Sequence, residues 1–130
     1  KIRTLQDETG GFRAFILWSF QSANTKLIAE YPHIKKQSPN RYLRLLAVSR
    51  LFLDNFKNIQ SSWVTQGSYI GQLALKFGAN DLGSTMMEEN VVKAAGASYR
   101  MSQAQMIELI KDIGEFPAKR NTNYDILERF

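Results

Sequence analysis

The residues best suited to chemistry lie together in the segment GANDLGSTMMEEN, at positions 78–90. Asn80 and Asp81 supply an amide and a carboxylate, and Glu88 and Glu89 supply two further carboxylates. Such groups accept hydrogen bonds from ligand hydroxyls, and the amide can also donate. Two simpler interpretations stay open. Asp81 can cap a turn, and the glutamates can complement the positive end of a helix that they open.

The usual partners of such carboxylates in an enzyme are missing from the chain. Its 130 residues contain no cysteine and one histidine, His33, which lies beside Pro32 in a predicted surface loop. Disulfides, thiolate metal ligands and iron–sulfur ligation are therefore excluded for these residues. No Ser/His/Asp set, glycine-rich phosphate loop or zinc-ligand spacing is present. We expect the chain by itself to bind no metal and to catalyse no reaction.

The net charge and the hydropathy of the sequence limit the classes of partner that the protein can bind. The formal net charge is +5, but the basic residues are scattered along the chain and form no continuous basic run. We therefore expect no nucleic-acid partner. The alternatives are a basic nucleic-acid or protein interaction domain, or attraction of an anionic small molecule. No segment approaches the roughly 20 apolar residues that span a bilayer. With no cleavable signal pattern either, the sequence predicts a cytoplasmic protein without membrane contact.

Three segments predict β-strands that alternate with helices. The aromatic-rich run FRAFILWSF at 12–20 predicts a strand covered on both faces, and IQSSWVT at 59–65 predicts a second. NDLGST at 80–85 predicts a short third strand. Helices are predicted from the N-cap Ser38 and Pro39 onward, over residues 66–78 and over residues 88–96. This alternation with short connections predicts parallel βαβ units.

The helices carry apolar stripes, and further helices are predicted at both ends of the chain. The stripe of the first long helix is predicted to consist of Leu45, Val48, Phe52 and Phe56. Residues 1–11 are typical of the end of a helix. Ser102 and Gln105 match a capping box for a helix through about Ile113, whose buried face is predicted to contain Met106, Ile107, Leu109, Ile110 and Ile113. After Pro117, residues 123–130 predict one or two last helical turns.

Ligands of parallel α/β proteins meet the carboxyl ends of the strands and the loops that follow them. In this sequence those positions are Trp18–Gln21, Trp63–Gly67 and Asn80–Ser84. Each of the three carries hydrogen-bonding side chains beside an aromatic residue or a glycine. Three consecutive polar strand ends predict the rim of a ligand pocket.

Three long segments together give the sequence a family resemblance that covers nearly the whole chain. They are LQDETGGFRAFILWSFQSANTKL, YLRLLAVSRLFLDNFKNIQSSWVTQG and LALKFGANDLGSTMMEENVVKAAGA. They resemble the C-terminal part of the radical S-adenosylmethionine (SAM) enzymes of menaquinone and deazaflavin biosynthesis. The resemblance implies an α/β fold: the C-terminal portion of a (β/α) TIM-type barrel, with about three parallel strands, their helices and additional C-terminal helices. Residues 1–130 would form that portion, and the N-terminal cluster-binding part would be absent.

The resemblance also implies a reaction and its cofactors. Family members hold a 4Fe–4S cluster in a CxxxCxxC loop and, with an electron from a flavodoxin or ferredoxin, cleave SAM to a 5′-deoxyadenosyl radical. SSWVTQG is most similar to members that act on dehypoxanthine futalosine, in which the radical abstracts a ribose hydrogen and a spiro-cyclic product forms. A subunit of a deazaflavin F0 synthase, which joins tyrosine to a flavin precursor, is the alternative within the family.

Carried over position by position, the resemblance implies two groups of site residues. Ile16, Leu17 and Trp18 would pass beside the SAM adenine, although family members commonly carry proline at the position of Leu17. The residues that would face the substrate are Trp63, Thr65, Gln66, Asn80, Asp81 and Glu88. A partial barrel would also leave strand edges unpaired at FRAFILWSF and at the final strand, so we expect this chain to self-associate.

Overall fold

The computed structural model describes residues 1–22, 25–34, 37–85 and 99–130. Its helices are α1 Ile2–Thr9, α2 Lys26–Glu30, α3 Pro39–Phe52, α4 Trp63–Gln66, α5 Ser68–Lys76 and α6 Gln103–Asp112. Its strands are β1 Ala14–Ile16, β2 Asn58–Gln60, β3 Ala118–Arg120 and β4 Ile126–Arg129. The helix predicted over residues 88–96 lies outside the described residues, as does Glu88. Within the described ranges, no helix is long and apolar enough to cross a membrane.

The predicted parallel sheet is confirmed, but its strands are shorter than the sequence suggested. β1 pairs with β2 in parallel, and Asp81 forms a single parallel bridge with Gln60 on the other side of β2. The third strand is therefore reduced to one residue. It ends there because the Asp81 carboxylate accepts a hydrogen bond from the Gly83 amide at 3.1 Å, and Gly83 takes a positive φ of 84°.

Residues 63–66 form α4, so the prediction that the second strand continues to Thr65 was wrong. The carbonyl of Ser62 accepts hydrogen bonds from the amides of Thr65 and Gln66, at 3.1 and 3.0 Å, and this turns the chain into a helix. The Thr65 hydroxyl donates to the same carbonyl at 3.1 Å, and serine and threonine hydroxyls commonly offer the backbone local partners of this kind. Apolar content alone does not separate a buried strand from a short buried helix.

α3 begins as predicted, with the Ser38 hydroxyl accepting a hydrogen bond from the Arg41 amide and Pro39 in the first turn. Its buried face was predicted wrongly. Leu45, Val48 and Phe52 are exposed, whereas the buried residues are Tyr42, Leu43 and Leu46. Apolar residues occupy both sides of this helix, so periodicity could not choose between them. Phe56 is buried, but it lies in the loop after α3.

One face of the sheet packs against helices α3 and α5. Ile59 of β2 lies in a buried cluster with Tyr42, Leu46 and Ala74, and Phe15 of β1 packs against that cluster. A second cluster joins α4 to α6 and consists of Trp63, Val64, Leu82, Met101 and Met106. The two clusters place the described core on one side of the sheet and around its carboxyl end.

The ends of the chain confirm some predictions and correct another. α1 ends at Gly10 in the left-handed conformation, and Ser102 and Gln105 form the predicted capping box of α6. Residues 118–129 form an antiparallel β3–β4 hairpin, so the helical turns predicted near the C-terminus were wrong. Asn121 organises the hairpin turn, since its side-chain oxygen accepts from the amides of Asn123 and Asp125 at 2.8 and 3.0 Å.

Candidate functional site

A row of three side chains lies at the carboxyl ends of the parallel elements. The register aligns Ile16 with Gln60, and Gln60 with Asp81. Aligned residues of neighbouring strands point to the same face of a sheet, and successive residues point to opposite faces. Because Phe15 and Ile59 point toward α3 and α5, the row points the other way. We call this side, defined by Ile16, Gln60 and Asp81, the open face, because α3 and α5 pack on the other side of the sheet.

Asp81 is held on the open face by the β3–β4 hairpin. Arg120 of β3 donates from Nε to Oδ1 at 3.1 Å and from Nη2 to Oδ2 at 2.6 Å, forming a two-pronged ion pair. The Tyr124 hydroxyl donates to Oδ2 at 3.2 Å, and the Gly83 amide donates to Oδ1. The side chains of Asp81 and Arg120 are only 11% and 23% exposed, so the pair is largely shielded from water.

The pKa shifts of Arg120 and Tyr124 agree with the hydrogen bonds that both residues donate to Asp81. The hydrogen bond to Asp81 raises the pKa of Arg120, which keeps its guanidinium charged. Burial, followed by the negative charge of Asp81, raises the pKa of Tyr124, so its hydroxyl stays neutral and able to donate. The guanidinium carbon of Arg120 also lies 3.9 Å from the centre of the Tyr124 ring, within cation–π range.

The three residues expected beside SAM are divided between the two faces of the sheet. Ile16 is 40% exposed, and Trp18, two residues further along, is 54% exposed. Leu17 packs against the buried cluster of α3 and α5. Ile16 and Trp18 thus present apolar surface to solvent, whereas Leu17 contributes its side chain to the core.

Three of the residues expected to contact the substrate, Trp63, Thr65 and Gln66, lie on α4. Trp63 and Thr65 are buried, at 1% and 3% exposure. Gln66 is partly buried, and its amide nitrogen donates to the hydroxyl of Ser19 at 2.8 Å. This contact joins α4 to the segment after β1. Of the three, Gln66 alone lies beside a polar group of another predicted strand end.

Asn80 lies next to Asp81, but its side chain is occupied elsewhere. Its oxygen accepts hydrogen bonds from Arg50 at 2.9 Å and from the Ile59 amide at 2.8 Å, while its nitrogen donates to the Lys57 carbonyl. The structure therefore keeps the two neighbouring residues Asn80 and Asp81 in different networks.

Sequence reasoning missed Arg120 and Tyr124. Arg120 belongs to the scattered basic residues, and its carboxylate partner lies 39 positions away in the chain. Tyr124 stood in a segment interpreted as helical. No local spacing pattern links either residue to Asp81, and only the position of the hairpin brings them together.

A separate polar concavity lies near the start of α5 and along α6. Its volume is about 210 Å³, and it is lined by Ser68, Arg100, Met101, Gln105, Glu108, Leu109 and Asp112. None of the predicted site residues lines it. Among the described residues, no group of three or more His, Cys, Asp or Glu side chains is arranged to hold a metal ion.

A parallel α/β sheet with a polar cluster at its carboxyl edge is typical of a ligand-binding domain of an enzyme. Residues 9–129 match the family described as CofH/MqnC C-terminal region, and the chain belongs to this family. The match confirms the family resemblance that the sequence carries.

Individual relatives cover nearly all of the chain. It is 48% identical over 130 residues to cyclic dehypoxanthine futalosine synthase of Halalkalibacterium halodurans, covering 100% of the chain and 34% of that protein. It is 47% identical over 129 residues to the synthase of the same name from Streptomyces coelicolor, covering 97% of the chain and 31% of that protein. The chain is also 42% identical over 130 residues to the 5-amino-6-(D-ribitylamino)uracil–L-tyrosine 4-hydroxyphenyl transferase of Methanococcus maripaludis (strain C7), covering 98% of the chain and 36% of that protein. The chain thus spans about a third of the length of these curated relatives.

Proposed function

We propose that this chain forms the C-terminal part of a radical SAM (β/α)-barrel enzyme that converts dehypoxanthine futalosine to cyclic dehypoxanthine futalosine. The observation that carries the proposal is the 48% identity, across the whole chain, to a synthase of that name. The parallel order β1, β2 and Asp81, with α3 and α5 on one face, agrees with a segment of such a barrel.

The iron–sulfur cluster of this proposal does not fit the residues of this chain. Such clusters are held by cysteine thiolates, and none of the 130 residues is a cysteine. In the proposed enzyme the cluster is ligated by the part of the protein beyond these residues, and a flavodoxin or ferredoxin supplies the electron. SAM, when bound, supplies the radical chemistry. The exposed surfaces of Ile16 and Trp18 are suited to apolar contact with its adenine ring.

The proposed contribution of this chain is to bind and orient the substrate. Dehypoxanthine futalosine carries ribose hydroxyls, and Asp81 is the carboxylate acceptor on the open face. Gln66 adds an amide that is anchored to Ser19. Trp63 and Thr65 contribute indirectly, because both are buried and their packing fixes the position of α4. Asn80 fixes the backbone beside Asp81, because its side-chain oxygen accepts a hydrogen bond from the Ile59 amide. Glu88, in the segment outside the described residues, remains a proposed substrate contact.

The relatives supply a second candidate function. A 5-amino-6-(D-ribitylamino)uracil–L-tyrosine 4-hydroxyphenyl transferase is 42% identical over 98% of the chain. Its flavin precursor carries a ribityl chain, which like ribose is a five-carbon polyol. An acceptor such as Asp81 suits either substrate, so the choice between the two functions depends on the higher identity to the synthases.

The test is an anaerobic assay of the complete protein with its cluster reconstituted, SAM and a reductant. One reaction contains dehypoxanthine futalosine, and a parallel one contains 5-amino-6-(D-ribitylamino)uracil with L-tyrosine. We expect the cyclic product, identified by mass spectrometry, in the first reaction only. Product in the second reaction only would replace the proposal with the transferase activity, and product in neither would reject both.

A further inference from the structure

The carboxylate of Asp81 has no spare acceptor position. Two carboxylate oxygens offer about four lone-pair positions for hydrogen bonds. Oδ1 accepts from the Gly83 amide and Arg120 Nε, and Oδ2 accepts from Arg120 Nη2 and the Tyr124 hydroxyl. A substrate hydroxyl can therefore bind Asp81 only if one of these four donors gives way.

The four donors differ in how easily they can be displaced. The two bonds from Arg120 are charge-assisted, and their fork geometry matches the carboxylate. The Gly83 bond is made by the backbone two residues away and closes a turn. The Tyr124 hydroxyl is neutral, and its distance of 3.2 Å is the longest of the four. A hydroxyl from a ligand can replace it with an equivalent bond.

We propose that Arg120 is a positioning residue, which fixes the Asp81 carboxylate on the open face so that a ribose or ribityl hydroxyl of the substrate binds Oδ2 in place of the Tyr124 hydroxyl. This inference rests on the proposed function, since it concerns the polyol of that substrate. It assigns a role to the β3–β4 hairpin, which is the element that carries both residues to Asp81.

The hairpin is anchored well enough to hold Arg120 in place. The side-chain oxygen of Asn123 accepts a hydrogen bond from Arg13, just before β1, at 2.7 Å. The hairpin is thus tied to Arg13 beside β1 and to Asp81 on the other side of β2. The turn itself keeps Tyr124 at a φ of +70°, the only positive φ of a non-glycine residue among those described. Such a conformation is unfavourable for an aromatic residue and persists where surrounding contacts fix it.

The experiment measures the dissociation constant of dehypoxanthine futalosine by calorimetry, using the complete enzyme without reductant so that no turnover occurs. The variants are Arg120→Gln, Arg120→Lys, Tyr124→Phe and Asp81→Asn, with the double variant of Arg120→Gln and Asp81→Asn. Arg129→Gln is the matched control, because Arg129 is an exposed arginine on the neighbouring strand of the same hairpin. Thermal unfolding of each variant records whether it folds.

We expect Arg120→Gln to weaken binding at least tenfold, Arg120→Lys to restore part of the affinity, and Arg129→Gln to bind like wild type. In the Asp81→Asn background, Arg120→Gln should weaken binding by less than a further twofold, because it acts through Asp81. A purely structural role would lower the unfolding temperature without this non-additivity. Tyr124→Phe should bind as tightly as wild type or more tightly, because it removes the competing donor.

Wild-type affinity in Arg120→Gln, or additive losses in the double variant, would overturn the inference. If the Arg120 variants do not fold, Tyr124→Phe decides, and a tenfold loss of affinity in it would overturn the inference as well. A wild-type enzyme that binds 5-amino-6-(D-ribitylamino)uracil but not dehypoxanthine futalosine would overturn the proposed function alone. The same variants are then compared with that ribityl ligand, and the same outcomes apply.

Discussion

The guanidinium of Arg50 donates to the side-chain oxygen of Asn80 at 2.9 Å, so an arginine near the end of α3 holds the residue directly before Asp81. Arg50 also donates to the carbonyls of Gly78 and Phe56, at 2.7 and 2.9 Å. Asn80 is thus held by an arginine from the helix side of the sheet, and Asp81 by Arg120 from the open face. The two arginines fix neighbouring residues at the carboxyl edge from opposite sides.

The first prediction concerns the stability that Arg50 supplies. Its three partners are uncharged oxygens, and burial lowers the pKa of Arg50. Arg50→Met keeps most of the aliphatic stem but leaves three acceptors without their charged donor. We expect the free energy of unfolding, measured by urea denaturation, to fall by about 3 kcal/mol. Arg44→Met, an exposed arginine on the same helix, is the control and should stay within about 0.5 kcal/mol of wild type. Equal stabilities for the two variants would mean that the Arg50 contacts contribute nothing.

The second prediction concerns Asp81 in the proposed enzyme. Asp81→Asn removes a charged acceptor, at a cost of about 1.5–3 kcal/mol for a hydrogen bond to a hydroxyl. We therefore expect turnover of dehypoxanthine futalosine to fall more than tenfold, while the cluster spectrum and SAM cleavage are largely retained. Glu128→Gln removes an exposed carboxylate from β4 and should leave turnover unchanged. If Asp81→Asn also turns over at the wild-type rate, Asp81 serves only to anchor the hairpin.

The sequence predicted the parts of the fold that depend on local chemistry. The Ser38 cap with Pro39, the capping box at Ser102 and the parallel pairing of β1 with β2 all follow from short patterns of residues. It failed where two local patterns compete and where distant contacts decide the outcome. IQSSWVT is apolar enough for a strand, but the Ser62 carbonyl accepts hydrogen bonds from the amides of Thr65 and Gln66 and closes a short helix there. The hairpin was missed because its turn depends on Asn121 and its position on Asp81.

The candidate site was predictable to a similar extent. The rule that ligands meet strand ends selected Asp81, which the structure aligns with Gln60 and Ile16 on one face. It also selected Trp63, Thr65 and Asn80, whose polarity or aromatic character serves burial and backbone anchoring in the structure. A strand-end pattern does not report which face of the sheet a side chain occupies, and that distinction requires the register.

The third prediction tests the close packing of α5 against α4. A Cβ atom at Gly71 would lie 2.5 Å from Cβ of Trp63 and 3.2 Å from its Cα. Replacing glycine by alanine inside a helix normally stabilises it by about 1 kcal/mol, but here the overlap outweighs that gain. We expect Gly71→Ala to lower the free energy of unfolding by about 1–3 kcal/mol. Gly11→Ala, where the nearest atom is a threonine side-chain oxygen at 3.3 Å, serves as the comparison. A stabilised Gly71→Ala variant would contradict the packing.

The fourth prediction concerns alkaline pH. Burial and the charge of Asp81 raise the pKa of Tyr124 above its ordinary value of 10.0, with the positive charge of Arg120 opposing. Burial also raises the pKa of Tyr42. A tyrosine whose pKa is higher in the folded state contributes its full stabilisation at any pH below its unfolded-state pKa. This contribution is lost as the pH rises through the folded-state pKa. Urea denaturation at several pH values should therefore show stability falling above pH 10.0, less steeply in Tyr124→Phe than in wild type. Parallel curves would show that Tyr124 does not contribute.

The last prediction is that this chain self-associates. Within the described residues β1 pairs only with β2, so its other edge offers unpaired backbone groups. Phe12, Ile16, Trp18 and Phe20 are exposed in and around this strand, so the unpaired strand also presents apolar side chains. Such edges recruit strands of other molecules, and the symmetric solution is a dimer that pairs two β1 strands.

Sedimentation equilibrium over a wide concentration range measures this association. Ile16→Lys places a charge at the edge, where lysine discourages pairing, and should shift the wild-type dimer to monomer. Leu51→Lys is the control, because Leu51 is a highly exposed residue that belongs to α3 and not to β1, and this variant should remain dimeric. If only the Leu51→Lys variant is monomeric, the dimer contact lies on α3 and not at the β1 edge. A wild-type chain that stays monomeric at high micromolar concentration would contradict the prediction altogether, and would mean that other parts of the chain protect the β1 edge.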